Sequence, residues 1–242
     1  MTVVAVVSTV NVDGKKDASG AFVPEARAFL RFHGADPKGD AVVPFDHRLS
    51  PDKRRAHVEA GIRAAREALG APIEGLAFFC HGYRRGLQTG HTTKALGGLV
   101  DVIRETCSHD VAIPLYACDA ARDADADRKD DLTDVPGGDG GFADVLRDAM
   151  LRTPGAFFGA HIDAHVTAAH TTRNPHVRRF EVTAAVPSET ILGLPGGSWL
   201  VTPGSSRWKT WIRALRTDFR FRFPFLDAAG IAQVLDRGTF LP

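Results

Sequence analysis

The stretch Leu76-Ala77-Phe78-Phe79-Cys80, followed at once by His81-Gly82, decides the fold class of this 242-residue chain. An unbroken apolar run that stops at a polar residue and a glycine is typical of a strand buried on both faces. A second such run, Val111-Ala112-Ile113-Pro114-Leu115-Tyr116-Ala117, stops at Cys118. Because a helical pattern separates the two runs, we expect neighbouring parallel strands that end at the same edge of one sheet.

Strand and helix patterns alternate over the first two thirds of the chain. Apolar strands that alternate with amphipathic helices predict an α/β fold, with a mostly parallel sheet of about six strands flanked by helices on both faces. The other expected strands lie at about residues 2–8, 41–43 and 156–167, and the expected helices at about residues 24–34, 51–69, 93–107 and 141–151.

The pattern changes after about residue 175. A strand at about residues 177–182 is followed by helical patterns at about residues 206–217 and 226–238. We therefore expect a single domain over residues 1–242, in which residues 1–175 form an α/β core and residues 176–242 form a C-terminal, mainly helical elaboration.

Composition and charge narrow the class of protein. Thirty basic against 29 acidic residues leave a formal charge of +1, so no global field favours nucleic acid or a membrane as a partner. The start of the chain has neither the basic segment of a signal peptide nor an apolar run long enough to span a bilayer. Three cysteines, an odd number, fit a reducing compartment, and we expect a cytoplasmic protein.

The two strand ends offer the groups of a cysteine hydrolase. A thiol has a pKa of about 8.5, so Cys118 needs a base such as His81 to become a thiolate, and the same imidazole can then protonate the leaving group. The N–H groups of Gly82 and Cys118 can face the developing oxyanion. Cys80 is the weaker candidate for the nucleophile, because strand alternation directs it away from His81.

These two motifs resemble the caspase-like cysteine peptidases, a group that includes caspases, metacaspases, clostripain, gingipain and separase. Their pattern is a strand ending in His-Gly, a crossover helix and a strand ending in Cys. The segments Leu115-Tyr116-Ala117-Cys118 and Gly140-Gly141-Phe142-Ala143 are most similar to bacterial caspase-like domains of poorly defined function. The similarity in element order covers about residues 1–170.

The resemblance implies a cysteine endopeptidase that acts on a peptide or protein substrate without a cofactor or metal. It implies Cys118 as the nucleophile, His81 as the general base and acid, and the Gly82 N–H as an oxyanion donor. Tyr116 departs from the family, because caspases carry glutamine there and metacaspases and clostripain carry aspartate. This position therefore supports neither cleavage after Asp nor cleavage after Arg or Lys, although Asp119 could still bind a basic side chain.

The stretch Asp119–Asp131 is acidic and is followed by Pro136-Gly137-Gly138, which predicts a surface loop. The loop could be cut by the enzyme itself, or it could line a pocket for a basic side chain. Alternate carboxylates at Asp123, Asp125 and Asp127 could bind calcium, although the glycine and final glutamate of an EF-hand loop are missing. A solvated acidic loop is the most common meaning of such a stretch.

Alternation along Ala160-His161-Ile162-Asp163-Ala164-His165 places His161, Asp163 and His165 on one face of a strand. This set supports a rival hypothesis, a metal-dependent hydrolase with His81 or His91 as a further ligand. The same three residues could instead shape a substrate pocket beside the Cys/His pair, or serve only as hydrogen-bonded structural residues.

Two readings need no catalysis. Cys118 could be a small apolar residue at a strand end, and His81 a hydrogen-bonded turn residue. A catalytically inactive caspase-like scaffold could bind an acidic partner or, less expectedly, nucleic acid through basic side chains near the C-terminus. These are Arg207, Lys209, Arg213, Arg216, Arg220 and Arg222, set against the single acid Asp218.

Overall fold

The structure is a computed structural model that describes residues 1–9, 19–36, 39–122, 140–153, 155, 157–165, 177–182 and 189–190. In chain order, the described elements are β1 (Val3–Ser8), α1 (Ser19–Phe32), β2 (Val42–Phe45), α2 (Pro51–Leu69), β3 (Ile73–Phe79), β4 (Gly82–Tyr83), β5 (Gly86–Leu87), α3 (Gly97–Thr106), β6 (Cys107–Tyr116), α4 (Phe142–Leu151), β7 (His161–His165), β8 (Val177–Glu181) and β9 (Glu189–Thr190).

Seven of these strands form one sheet in the order β2-β1-β3-β6-β7-β8-β9. Within this sheet, β2, β1, β3, β6 and β7 are parallel. Strand β8 runs antiparallel to β7, and the two-residue β9 runs antiparallel to β8. The expected α/β fold with a mostly parallel sheet is therefore confirmed. In the part of the chain that the structure describes, no helix is long and apolar enough to cross a bilayer.

Helices cover both faces of the sheet, as expected. Successive side chains of a strand point to opposite faces, so the wholly apolar strands β1 and β3 need a cover on each side. One face packs against α1, through Phe22, Ala26, Phe29 and Leu30. The opposite face packs against the other three helices, through residues that include Val58, Ile62, Leu99, Val102, Ile103, Leu146 and Met150.

Helix α2 has the ends that the sequence predicts. Pro51 stands in its first turn, and Gly70 closes it with a φ of 68°. The Gly70 N–H reaches the carbonyl groups of Arg66 and Glu67, which would otherwise lack a partner at the helix end.

Helix α1 is longer than predicted, because it begins at Ser19 rather than at Pro24. A proline inside a helix removes one hydrogen bond, and for that reason the sequence pattern indicates a later start. Phe22 and Phe29 bury more than nine tenths of their surface against the sheet, and this apolar contact offsets the lost bond.

The predicted helix over residues 93–107 is also corrected, since α3 begins only at Gly97. The preceding residues belong to the hairpin β4–β5 and to the bridges that Thr92 makes with Gly86 and Ala95. We refer to residues 82–95 as the hairpin segment. Its strands have two residues each, too short for any periodic signal in the sequence.

At the C-terminal side, β7 is shorter than the strand predicted over residues 156–167. Strand β8 follows the predicted boundary at residue 175 and pairs along its length with β7, so the sheet continues across that boundary. The helices expected at residues 206–217 and 226–238 lie outside the described residues. The C-terminal elaboration therefore stays a prediction.

We predict that Phe78→Ala, in the middle of the sheet, lowers the free energy of unfolding by about 3–5 kcal/mol. Phe78 is fully buried in β3, so its removal leaves a cavity that the two neighbouring strands cannot close. The matched control is Phe158→Ala, whose ring is 69% exposed and whose loss should change stability by about 0.5 kcal/mol or less. Urea unfolding measures both, and equal effects would contradict the central position of β3.

Candidate active site

The carboxyl ends of β3 and β6 bring His81 and Cys118 to the same edge of the sheet. These strands are direct neighbours, and Phe79 pairs with Tyr116 at the last position of their register. Continued by two residues, the register sets His81 beside Cys118. Adjacent strands lie about 4.8 Å apart, so we expect the two residues to be neighbours.

The His81 side chain lies on the face of the sheet that α1 covers. The rings of Phe79 and Tyr116 stack on the face covered by α1, with centroids 4.3 Å apart and planes within 9°. His81 follows Phe79 by two residues, so alternation along the chain returns it to that face. The His81 ring meets the edge of Phe22 from α1 at 5.2 Å, whereas Cys80 lies in the core of the opposite face.

Gly82 is packed against the main chain of the cysteine segment. A Cβ atom at this position would lie 2.6 Å from the Cys118 carbonyl oxygen and 2.7 Å from the Cβ atom of Ala117. Real Cβ atoms do not approach other atoms so closely, so the residue after His81 has to be glycine. The close approach holds the His-Gly turn against the peptide unit of Cys118.

The backbone of His81 is held by the hairpin segment. The His81 N–H donates to the side-chain oxygen of Gln88 at 3.2 Å, and the Gln88 N–H donates to the His81 carbonyl at 2.8 Å. Gln88 itself is buried. The two reciprocal bonds leave the His81 backbone little freedom to turn away from Cys118.

The hairpin segment is in turn anchored by His91, whose ring is fully buried. One ring nitrogen lies 2.9 Å from the Thr89 hydroxyl, and the other lies 3.1 Å from a Glu59 carboxylate oxygen on α2. Both ring nitrogens therefore have protein partners, an arrangement that disfavours His91 as the further metal ligand considered from the sequence.

A tight turn follows Cys118. Asp119 has a φ of 56° and is the sole non-glycine residue with positive φ in the described part of the chain. This backbone region costs most side chains about 1–2 kcal/mol per residue, although Asp is among the residues that enter it most readily. The Arg122 N–H closes the turn by donating to the Asp119 carbonyl at 3.1 Å. We refer to residues 117–122 as the cysteine turn.

Three hydrogen bonds from two other elements, β7 and α4, hold the cysteine turn and the hairpin segment. The Ala121 N–H donates to the carbonyl of His165 at the end of β7. At the start of α4, the Ala143 N–H donates to the Ala120 carbonyl at 2.9 Å, and the Phe142 N–H donates to the Arg84 carbonyl at 2.7 Å. The first two N–H groups of α4 have no partner within the helix, and they thus link the two segments that flank the His81–Cys118 pair.

The three cysteines, which are all free thiols, have different environments. Burial raises the pKa of the Cys80 thiol to about 12, although N–H groups of Gln88 and Thr89 partly oppose that rise. Burial likewise raises the pKa of Cys107 to about 11. Cys118 is partly exposed at the sheet edge, so its position is the one that suits a reactive thiol.

The proposed substrate-binding residues near Cys118 occupy different places. Tyr116 is completely buried, and its ring contacts those of Phe29 and Phe79 in the core. Asp119 is half-buried and lines an open cleft beside the cysteine turn. A substrate contact of either residue stays a prediction.

His161, Asp163 and His165 share one face of β7, as the alternation predicts, but the structure adds a partner that the sequence pattern did not reveal. Arg179 on β8 binds both carboxylate oxygens of Asp163, at 2.8 and 3.0 Å. The antiparallel register that sets Asp163 opposite Arg179 creates this pair. Burial lowers the pKa of His161 despite the Asp163 carboxylate 3.6 Å from its ring.

Among the described residues, no group of three or more His, Cys, Asp or Glu side chains is arranged to hold a metal ion. Arg179 binds both oxygens of the Asp163 carboxylate. This ion pair neutralises the charge of the one carboxylate on the strand face that suggested a metal site. The calcium site predicted at Asp123, Asp125 and Asp127 lies outside the described residues.

A cleft of about 680 Å³ opens between the hairpin segment and the cysteine turn. We refer to it as the cationic cleft, because its lining holds four basic residues and one acid. The sequence pattern did not predict this cleft, although the adjacent Arg84 and Arg85 were a visible signal. Its lining residues are Tyr83, Arg84, Arg85, Thr92, Thr93, Lys94, Asp119 and Arg122.

Comparisons of this chain with protein family models, with curated proteins and with solved structures found no match. The chemistry of the site therefore has to be argued from the residues themselves. The relevant group is His81, Gly82 and Cys118, supported by the hairpin segment and the cysteine turn.

We predict opposite effects on stability for two Gly→Ala substitutions. Gly82→Ala forces a methyl group against the Cys118 carbonyl and should lower the free energy of unfolding by about 1–3 kcal/mol. Gly97→Ala, at the start of α3 with nothing within 4 Å, should raise it by up to about 1 kcal/mol. Urea unfolding measures both changes, and a Gly82→Ala protein as stable as the parent would refute the close approach.

We also predict that iodoacetamide labels Cys118 first in the native protein at pH 8. At that pH, pKa values of about 12 and about 11 leave roughly one in ten thousand Cys80 thiols and one in a thousand Cys107 thiols ionised. Mass spectrometry of timed samples locates the label, with urea-unfolded protein as the control in which all three react. Early labelling of Cys80 or Cys107 would contradict the burial described above.

Proposed function

We propose that this protein is a cysteine endopeptidase of the caspase-like type, with Cys118 as the nucleophile and His81 as the general base and acid. The observation that carries the proposal is the packing of Gly82 against the Cys118 carbonyl, at the end of two neighbouring parallel strands. This contact ties the histidine segment to the cysteine segment at the sheet edge where α/β folds carry their chemistry.

The reaction follows from the roles of the two side chains. His81 takes the proton of the Cys118 thiol, and the thiolate attacks the carbonyl carbon of a peptide bond. The N–H groups of Gly82 and Cys118 stabilise the resulting oxyanion. The protonated His81 gives its proton to the leaving amine as the C–N bond breaks, which leaves a thioester on Cys118. His81 then deprotonates a water molecule, whose attack releases the acid and restores the thiol.

The order of elements supports the caspase-like assignment. In that group a strand ending in His-Gly is followed by a crossover helix and a strand ending in Cys. Here β3 leads into His81-Gly82, α3 makes the crossover, and β6 leads into Cys118. The hairpin segment occupies the connection between the first strand and the helix.

The two alternatives have less support. A metal-dependent hydrolase would use Asp163, whose carboxylate is already bound by Arg179 at both oxygens. An inactive binding module would use the C-terminal basic residues, which lie outside the described part of the chain. Neither alternative explains why a glycine between the two strand ends is pressed against the main chain of a cysteine.

The test is hydrolysis of a casein digest or a mixed peptide library by purified protein and single-site variants. Cys118→Ala and His81→Gln should each lower kcat/KM by about a thousandfold or more, because each removes a member of one catalytic unit. Cys107→Ala is the matched control, since it removes a thiol at the opposite end of β6 and should leave the rate unchanged.

A second arm of the same experiment separates thiol from metal chemistry. Iodoacetamide should abolish the activity, and a chelator should leave it intact. Full activity of Cys118→Ala, or inactivation by the chelator alone, would overturn the peptidase proposal.

A further inference from the structure

We infer that the cationic cleft binds acidic side chains of the substrate, next to the bond that is cleaved. This inference rests on the proposed function and assigns the substrate class: peptides that carry Asp or Glu close to the scissile bond. The sequence alone suggests a ligand of the opposite charge, a basic side chain bound by Asp119.

The cleft adjoins the His81–Cys118 pair, although neither of these two residues lines it. Its lining includes Tyr83, two residues after His81, and Asp119, the residue directly after Cys118. An extended peptide advances about 3.3 Å per residue. A substrate whose carbonyl lies at Cys118 therefore has its neighbouring residues within reach of the cleft.

The charge of the lining favours an acidic ligand. The four basic residues Arg84, Arg85, Lys94 and Arg122 face one carboxylate, that of Asp119. The Asp119 carboxylate lies 3.8 Å from the Arg122 guanidinium, so it offsets the charge of a residue beside it on the same turn. By formal charge, the residues of the lining carry four positive charges and one negative charge.

Arg84 provides the most specific observation. Its Nη2 atom is buried and has no hydrogen-bond partner within the described structure. A buried guanidinium N–H without an acceptor costs free energy, and a carboxylate oxygen placed there would satisfy it. Three other arginines, Arg63, Arg147 and Arg179, each bind a carboxylate.

The backbone that carries Arg84 and Arg85 is held in place by hydrogen bonds. The Arg84 carbonyl accepts a hydrogen bond from the first residue of α4, and the Arg85 carbonyl accepts one from the Thr93 N–H at 3.0 Å. Gly86 lies close against the His91 carbonyl, where a Cβ atom would approach to 2.9 Å. A backbone fixed in this way lowers the entropy lost when a charged ligand binds.

An acidic peptide fits these observations better than a nucleic acid. Nucleic acids are bound through an extended positive surface, whereas the whole chain carries a formal charge of +1. The four basic residues of the lining share one cleft of about 680 Å³, a volume suited to a few side chains. The exposed ring of Tyr83 adds an apolar wall for the methylene groups of Glu.

Binding is tested in the Cys118→Ala protein, which needs no turnover. Three fluorescein-labelled decapeptides share one sequence with Glu, Gln or Lys at alternate positions, and anisotropy titrations give their Kd values. We expect the Glu peptide to bind at least about tenfold more tightly than the Gln peptide, with this advantage shrinking as salt rises from 50 to about 300 mM.

Charge-removing variants locate the site. Arg84→Gln and Lys94→Gln should each weaken binding of the Glu peptide by about tenfold, and Arg84→Lys should weaken it less than Arg84→Gln. Arg31→Gln is the control of equal charge change, because Arg31 is exposed in the last turn of α1, at the opposite edge of the sheet. This control should leave the Kd unchanged.

Three results would overturn the inference: equal Kd values for the Glu and Gln peptides, tighter binding of the Lys peptide, or tighter binding of a single-stranded decanucleotide. These results are independent of the peptidase proposal. Hydrolysis that depends on Cys118 without a preference for acidic peptides defeats only the inference. Binding that prefers acidic peptides, with hydrolysis unaffected by Cys118→Ala, defeats only the peptidase proposal.

Discussion

The close approach of Gly82 to the Cys118 carbonyl is the contact on which the candidate site depends. It requires β3 and β6 to be neighbours in parallel register, and it requires a residue without a side chain directly after His81. The apolar strands satisfy the first condition, because burial on both faces keeps them in the centre of the sheet. The glycine satisfies the second, and a larger residue would push apart the two segments that carry the thiol and the imidazole.

Buried polar contacts then orient the hairpin segment and the cysteine turn, which the strands have brought together. His91 links the hairpin segment to Glu59, and Arg178, which is almost completely buried, donates to the Ala121 carbonyl in the cysteine turn. Buried polar groups are costly unless they are paired, so each of these bonds resists a change in the loop it holds. The apolar packing of the strands thus determines where the site lies. The polar contacts determine the conformation of the loops that form it.

The sequence predicts the parts of this structure that have a local physical cause. Unbroken apolar runs indicate β3 and β6, and Pro51 with Gly70 indicates both ends of α2. Features created by tertiary pairing are not visible locally. The Arg179–Asp163 pair depends on the register of β7 and β8, and the hairpin segment consists of strands too short to show alternation.

The proposed reactive pair and the cationic cleft differ in the same way: the first has a local signal in the sequence, and the second depends on tertiary contacts. His81 and Cys118 stand directly at the ends of buried strands, where a change in polarity marks them in the sequence. Arg84 and Lys94 belong to a segment whose path is determined by hydrogen bonds to α4 and to its own turns. Side chains on such a segment can vary in charge without disturbing the strands, because the core does not contain them. Under the peptidase proposal, such a fold keeps one reactive pair while the charge of the adjoining cleft selects the substrate.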